Sequence, residues 1–119
     1  MPDHASLFDD IDSMDPGRFA QHLDGDVVMR FGNADPVRGR DAVRDAWAGF
    51  CEGIDGVRHD VVERWTQGPA TIVEAKVSYT RKDGSQVTVP VVTIYRGEGE
   101  SIEDYRIFID LAPLFAAPA

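Results

Sequence analysis

The chain has 119 residues, 43% of them hydrophobic, enough for one domain over residues 1–119 that buries a core without disulfide staples. Its 21 acidic and 12 basic residues give a formal charge of −9 with no basic cluster, which argues against nucleic acid or an anionic membrane as a partner. No apolar run approaches the ~20 residues of a membrane span. The acidic start MPDHASLFDDID lacks a secretion pattern, and the single Cys51 excludes an internal disulfide, so the expected location is the cytoplasm.

Residues 5–14 pattern as a short helix with Leu7, Phe8, Ile11 and Met14 on one side. Asp15-Pro16 restarts the chain, with Asp15 as a cap and Pro16 at the first helical position. This second helix carries Phe19 and Leu23 and stops at Asp24-Gly25. Val27 to Phe31 is a short strand, and Gly32 to Gly39 a loop containing Pro36. A third helix over Arg40 to Glu52 has the stripe Val43, Ala46, Trp47 and Phe50. Cys51, just after the stripe, reads as an inert small hydrophobe.

After the turn Asp55-Gly56 the pattern is strand-like. VRHDVVERW sets Val57, His59, Val61, Glu63 and Trp65 on one face, and Gln67-Gly68-Pro69 turns the chain. TIVEAKVSYT alternates cleanly, with Thr71, Val73, Ala75, Val77 and Tyr79 opposite Glu74, Lys76 and Ser78. Asp83-Gly84 is a hairpin signal. QVTVPVVTIYR, the turn GEGE and SIEDYRIFID complete three long antiparallel strands. Pro90 cannot donate to a ladder, which predicts a bulge or an edge there. The tail APLFAAPA is expected to dock through Leu114 and Phe115. Helices gathered before an antiparallel sheet mean α+β, and a twisted sheet curled around the long helix leaves a one-ended pocket.

This order resembles the nuclear transport factor 2-like superfamily, more narrowly its SnoaL-like polyketide cyclase and limonene-epoxide hydrolase branch. PVRGRDAVRDAW resembles the family's loop leading into the third helix, VEAKVSYTRKDGSQVTVPVVTIYR its central hairpin, and IEDYRIFIDLAPLF its last strand and exit. The resemblance implies a cone-shaped fold with N-terminal helices packed on a curved antiparallel sheet, and a homodimer. The family's catalytic sets are missing. The Arg-x-Asp pair and the last-strand Asp of the epoxide hydrolases match Ala75, Val77 and Ile107, and their water-holding Tyr and Asn fall near Met29 and Phe31. The acidic donor of ketosteroid isomerases matches Val92, and the His-Trp-Asp of the cyclases matches Tyr105-Arg106-Ile107.

With Ala75 and Val77 inward, the expected pocket lining is Met29, Phe31, Trp47, Phe50, His59, Val61, Val77, Tyr79, Val92, Ile94, Tyr105 and Ile107. His59 is the candidate base, because an imidazole exchanges protons near neutral pH, and Tyr79 or Tyr105 can polarise a carbonyl. Glu63, on the same face, is the conceivable carboxylate partner of His59. His4 and His22 read as solvated, and no metal or other cofactor is expected. Asp110 reads as a cap for the C-terminal turn, and Asp104 and Arg106 as part of a solvated charge ladder with Glu74 and Lys76. Val87, Val89, Val91 and Tyr95 form the other face of their strand, the expected homodimer surface. Three functions fit these residues: an isomerase, cyclase, dehydratase or hydrolase using His59 on a small hydrophobic metabolite, a non-catalytic module that binds one, or a dimerisation domain with a vestigial pocket.

Overall fold

The computed structural model describes residues 4–98 and 101–116, with side chains from Ser6 onward, so the reading of the His4 side chain as solvated lies outside what is described. Helix α1 (His4–Asp12) buries Leu7, Phe8 and Ile11, and Met14, at φ 61°, turns the chain after it. Asp15 caps α2 (Pro16–Ala20), its Oδ1 accepting from the Gly17 N–H at 2.9 Å. Helix α2 ends earlier than the sequence predicts. Leu23 opens β1 (Leu23–Phe31) instead, because there it is buried opposite Ile102 of the last strand. The predicted loop contains the short β2 (Val37–Arg38), paired with Val28 and Met29.

Helix α3 (Arg40–Cys51) begins at Gly39, whose φ of 94° suits glycine and whose N–H donates to Val27 O at 2.7 Å. It buries Val43 and Trp47 and packs Phe50 against the core, while Ala46 faces solvent, so the stripe is narrower than predicted. The remaining elements are β3 (Gly56–Gln67), β4 (Ala70–Thr80), β5 (Gln86–Arg96), β6 (Ile102–Ile109) and α4 (Ala112–Phe115). They complete a six-stranded sheet in the order β2-β1-β6-β5-β4-β3, antiparallel except for the parallel pair β1 and β6. The core lies between the helices and the inner face of this curved sheet, where Val73, Ala75, Val77 and Tyr79 are buried as their alternation predicts.

Two local features reverse predicted faces. In the β4–β5 hairpin Thr80 pairs with Gln86, and the Arg81 N–H donates to Ser85 O at 2.8 Å. Three residues then form the loop, with Gly84 at φ 88°. A two-residue loop centred on Asp83-Gly84 would shift the register by one and exchange the faces of β5. In the observed register Val89 and Val91 oppose Val77 and Ala75 and are buried with Tyr95, so the expected dimer residues of β5 are core residues. Pro90, Val92 and Ile94 lie on the outer face instead. Pairing with β4 passes unbroken through Pro90, but pairing with β6 begins at Val91, so Pro90 stands where β5 is a local edge.

The second feature is a bulge in β3. Val61 opposes Ala75, but Glu63 opposes Glu74, which leaves Val62 as an extra residue. Beyond it Glu63 and Trp65 turn to the outer face, against the predicted alternation, and the strand is exposed from Asp60 to Gln67. At the C-terminus Asp110 Oδ1 accepts from the Ala112 N–H at 2.9 Å, the expected cap. The Arg81 guanidinium donates to Leu114 O at 3.1 Å and Pro113 O at 2.6 Å, and Leu114 is buried. Phe115 is 73% exposed rather than docked, since that turn presents only one side to the core. No helix among the described residues is long and apolar enough to cross a membrane.

Candidate functional site

A cavity of about 30 Å³ lies between the helices and the inner sheet face. Helix α1 contributes Ile11, α2 Phe19 and α3 Trp47; strand β1 contributes Met29 and Phe31. His59, Tyr79, Val91, Thr93, Tyr105 and Ile107 come from the four long strands. The walls as they stand leave room for a few heavy atoms, not for a multi-ring molecule.

His59 is fixed by a residue the sequence reading missed. Its backbone N–H donates to Asp12 Oδ2 at 2.8 Å, and its ring Nδ1 donates to Asp12 Oδ1 at 2.6 Å, the carboxylate having no proton to give. Phe8 packs on the ring at 4.9 Å between centroids. Nδ1 is therefore committed, and Nε2 is the ring nitrogen left for a bound molecule. Asp12 ends α1, beside Ile11 of the buried stripe and 47 residues from His59. One signal was present in the sequence: a carboxylate in a helix's last turn opposes the helix dipole, and such local conflicts gather at functional sites. Glu63, the expected partner, is carried to the other face by the bulge.

Of the other predicted lining residues, Met29, Phe31, Trp47, Tyr79, Tyr105 and Ile107 reach the cavity. Phe50 stands behind it, stacked on Trp47 at 5.4 Å and edge-on to Tyr79 at 5.6 Å. Val77 is buried in the sheet without reaching the lining. Val61 is 42% exposed, because β3 leaves the cover of the helices there. Val92 and Ile94 are on the outer face for the register reason above, and Val91 and Thr93 take the positions expected of them. Burial pushes the Tyr79 hydroxyl well above the ordinary phenol range, with the Asp12 charge adding to it. Burial does the same to Tyr105. Both therefore remain neutral phenols at any physiological pH. The indole Nε1–H of Trp47 is buried without a hydrogen-bond partner.

His22, expected to be solvated, is partly buried, its Nε2 donating to Asp10 Oδ2 at 2.7 Å. That hydrogen bond, with Arg18, holds the Asp10 carboxyl below the usual range. On the outer face Arg106 pairs with Asp104 at 2.9 Å, rather than forming a ladder with Glu74 and Lys76. Among the described residues no three His, Cys, Asp or Glu side chains come together to hold a metal.

The SnoaL-like domain family model matches residues 5–105. The chain belongs to the SnoaL-like domain family. The fold of this SnoaL-like domain recurs in solved structures of low sequence identity. A protein of ketosteroid isomerase-like fold from Catenulispora acidiphila DSM 44928, in complex with trimethylamine, superposes with a TM-score of 0.85 at 17% identity, over 92% of this chain and 86% of that one. A protein named as a SnoaL-like polyketide cyclase from Jannaschia sp. CCS1 gives 0.81 at 19%, over 97% and 90%. An epoxide hydrolase of M. tuberculosis, similar to limonene-epoxide hydrolase, gives 0.79 at 15%, over 94% and 83%. No curated protein matches the SnoaL-like chain significantly.

Proposed function

We propose that this SnoaL-like domain takes a small hydrophobic metabolite into its cavity and moves a proton on it through His59, in an isomerase-, cyclase- or hydrolase-type reaction. The observation that carries this reading is the double contact of Asp12 with the backbone and ring of His59. A carboxylate on Nδ1 fixes the tautomer and orientation of the imidazole and faces the charge the ring acquires when Nε2 takes a proton. Tyr79, a neutral phenol in the same lining, donates to a substrate oxygen. The small interior favours substrates of one ring or less over steroids. Ala75, Val77 and Ile107, apolar where family enzymes activate water, favour the second reading, a module that binds without turnover.

Screening small epoxides, enones and ketones against the wild type and His59→Ala separates the two. The catalytic reading expects turnover that His59→Ala abolishes while the protein still folds and melts cooperatively, and that Glu63→Ala spares. Turnover that survives His59→Ala refutes the role of His59, and tight binding with no turnover across the panel selects the binding module.

We also infer a homodimer through the outer sheet face, with the cytoplasm as the location that fits a lone, unbridged cysteine. Trp65 sits opposite Ile72, Ile72 opposite Ile94, and Val92 opposite Phe108, so four adjacent strands present one apolar patch. Trp65 is 43% and Phe108 54% exposed, more than a monomer surface usually tolerates in one cluster.

A further inference from the structure

We infer that Trp47 is the residue that selects the ligand, and that it selects a small apolar molecule carrying a carbonyl-type acceptor oxygen. The inference rests on the reading of the cavity as a ligand site. Trp47 lies on α3, lines the cavity and is 7% exposed. Its ring is clamped on two sides, stacked on Phe50 at 5.4 Å and edge-on to Phe19 at 6.2 Å. A ring so held cannot swing its N–H out to water, and Nε1 has no partner within the protein. Buried donors in folded proteins are nearly always satisfied, and leaving one unsatisfied costs free energy that a packed aliphatic or phenyl ring would avoid. An indole donates and cannot accept, so its missing partner is an acceptor. The lining is largely apolar, with Ile11, Met29, Val91 and Ile107 beside the polar ends of His59, Thr93 and two tyrosines, so the acceptor arrives on a small, largely apolar molecule. A ligand with a C=O in place of C=CH₂ gains this bond, and its hydrocarbon isostere leaves the indole unpaired. The site thus discriminates on one oxygen atom in a way that shape alone does not.

The chain has two tryptophans, so ¹⁵N labelling gives two indole signals, and Trp65, exposed on the outer face, is the internal control. The probes are cyclopentanone and methylenecyclopentane, alike in shape and different in the acceptor. Binding is followed independently through the Ile11 and Met29 methyl signals. Expected is a downfield shift of the Trp47 indole N–H with cyclopentanone, little change with methylenecyclopentane, and no movement of Trp65 with either. Trp47→Phe should weaken cyclopentanone binding about tenfold more than it weakens methylenecyclopentane binding, the scale of one buried hydrogen bond. If cyclopentanone moves the Ile11 and Met29 methyls while the Trp47 indole stays in place, the donor role is overturned and the cavity reading stands. If neither probe moves those methyls, both fall. The indole measurement needs only the wild type, so it decides the matter even if Trp47→Phe does not fold.

Discussion

Asp12 occupies the last position of α1, where the helix dipole disfavours a carboxylate by a few tenths of a kcal/mol to about 1 kcal/mol. Its two hydrogen bonds to His59 offset that cost. Replacing Asp12 with Asn keeps the size and removes the charge. A carboxylate partner should place the Nδ1 proton of His59 far downfield in the NMR spectrum; in Asp12→Asn it should move upfield or be lost, and any turnover should fall by on the order of 10²-fold or more with little change in substrate binding. An unchanged Nδ1 signal would show that Asp12 does not hold the ring. Cys51 offers a second test. Burial pushes its thiol up to about 11, so little thiolate exists at neutral pH. Iodoacetamide should label native Cys51 far more slowly at pH 8 than it labels urea-unfolded protein, as mass spectrometry would follow. Equal rates would mean that the thiol is not shielded. The imidazole was legible as a candidate because it falls on the apolar side of an alternating strand. Its partner was not, because 47 residues separate the two and only the packing of α1 across β3 joins them.

At the scale of elements, legibility followed the contrast between faces. Strand β4 has charged residues on one side only, so its burial could be read directly. Strand β5 has valines on both sides, and there the length of one turn decided the matter. The observed register makes a direct prediction: Val91→Ala should lower stability by about 2 kcal/mol, and Val92→Ala by well under 1 kcal/mol in a monomeric sample, in chemical denaturation. The opposite ranking would put β5 in the other register. In α3, Trp47→Ala should cost about 3–5 kcal/mol, whereas Ala46→Ser, on the exposed side, should stay within about 0.5 kcal/mol. Comparable losses at the two positions would show that the helix presents a different face.

For the whole molecule, acid should act through carboxylates already engaged in the folded state. The Asp10 carboxyl is held low by His22 and then Arg18, and that of Asp104 chiefly by Arg106. A carboxyl with a depressed folded pKa adds stability above its unfolded value of about 4 and loses it as the pH falls through the folded value. The melting temperatures of wild type and Asp10→Asn should therefore differ at pH 6 and converge toward pH 2; a constant gap would exclude this linkage. Both groups lie near water, so the effect is modest. Light scattering at micromolar concentration should give twice the chain mass, and Phe108→Arg should return it to that of the monomer. A monomer mass for the wild type would leave the outer patch without its proposed partner. The bulge at Val62 has its own consequence for how this sheet tolerates mutation. Elsewhere in a regular strand, losing one codon exchanges every following side chain between core and water. At Val62 the loss of a codon would leave Val61 opposite Ala75 and Glu63 opposite Glu74, as they are now. Only the local kink would go, so a single deletion could straighten β3 while each of its side chains kept its side of the sheet.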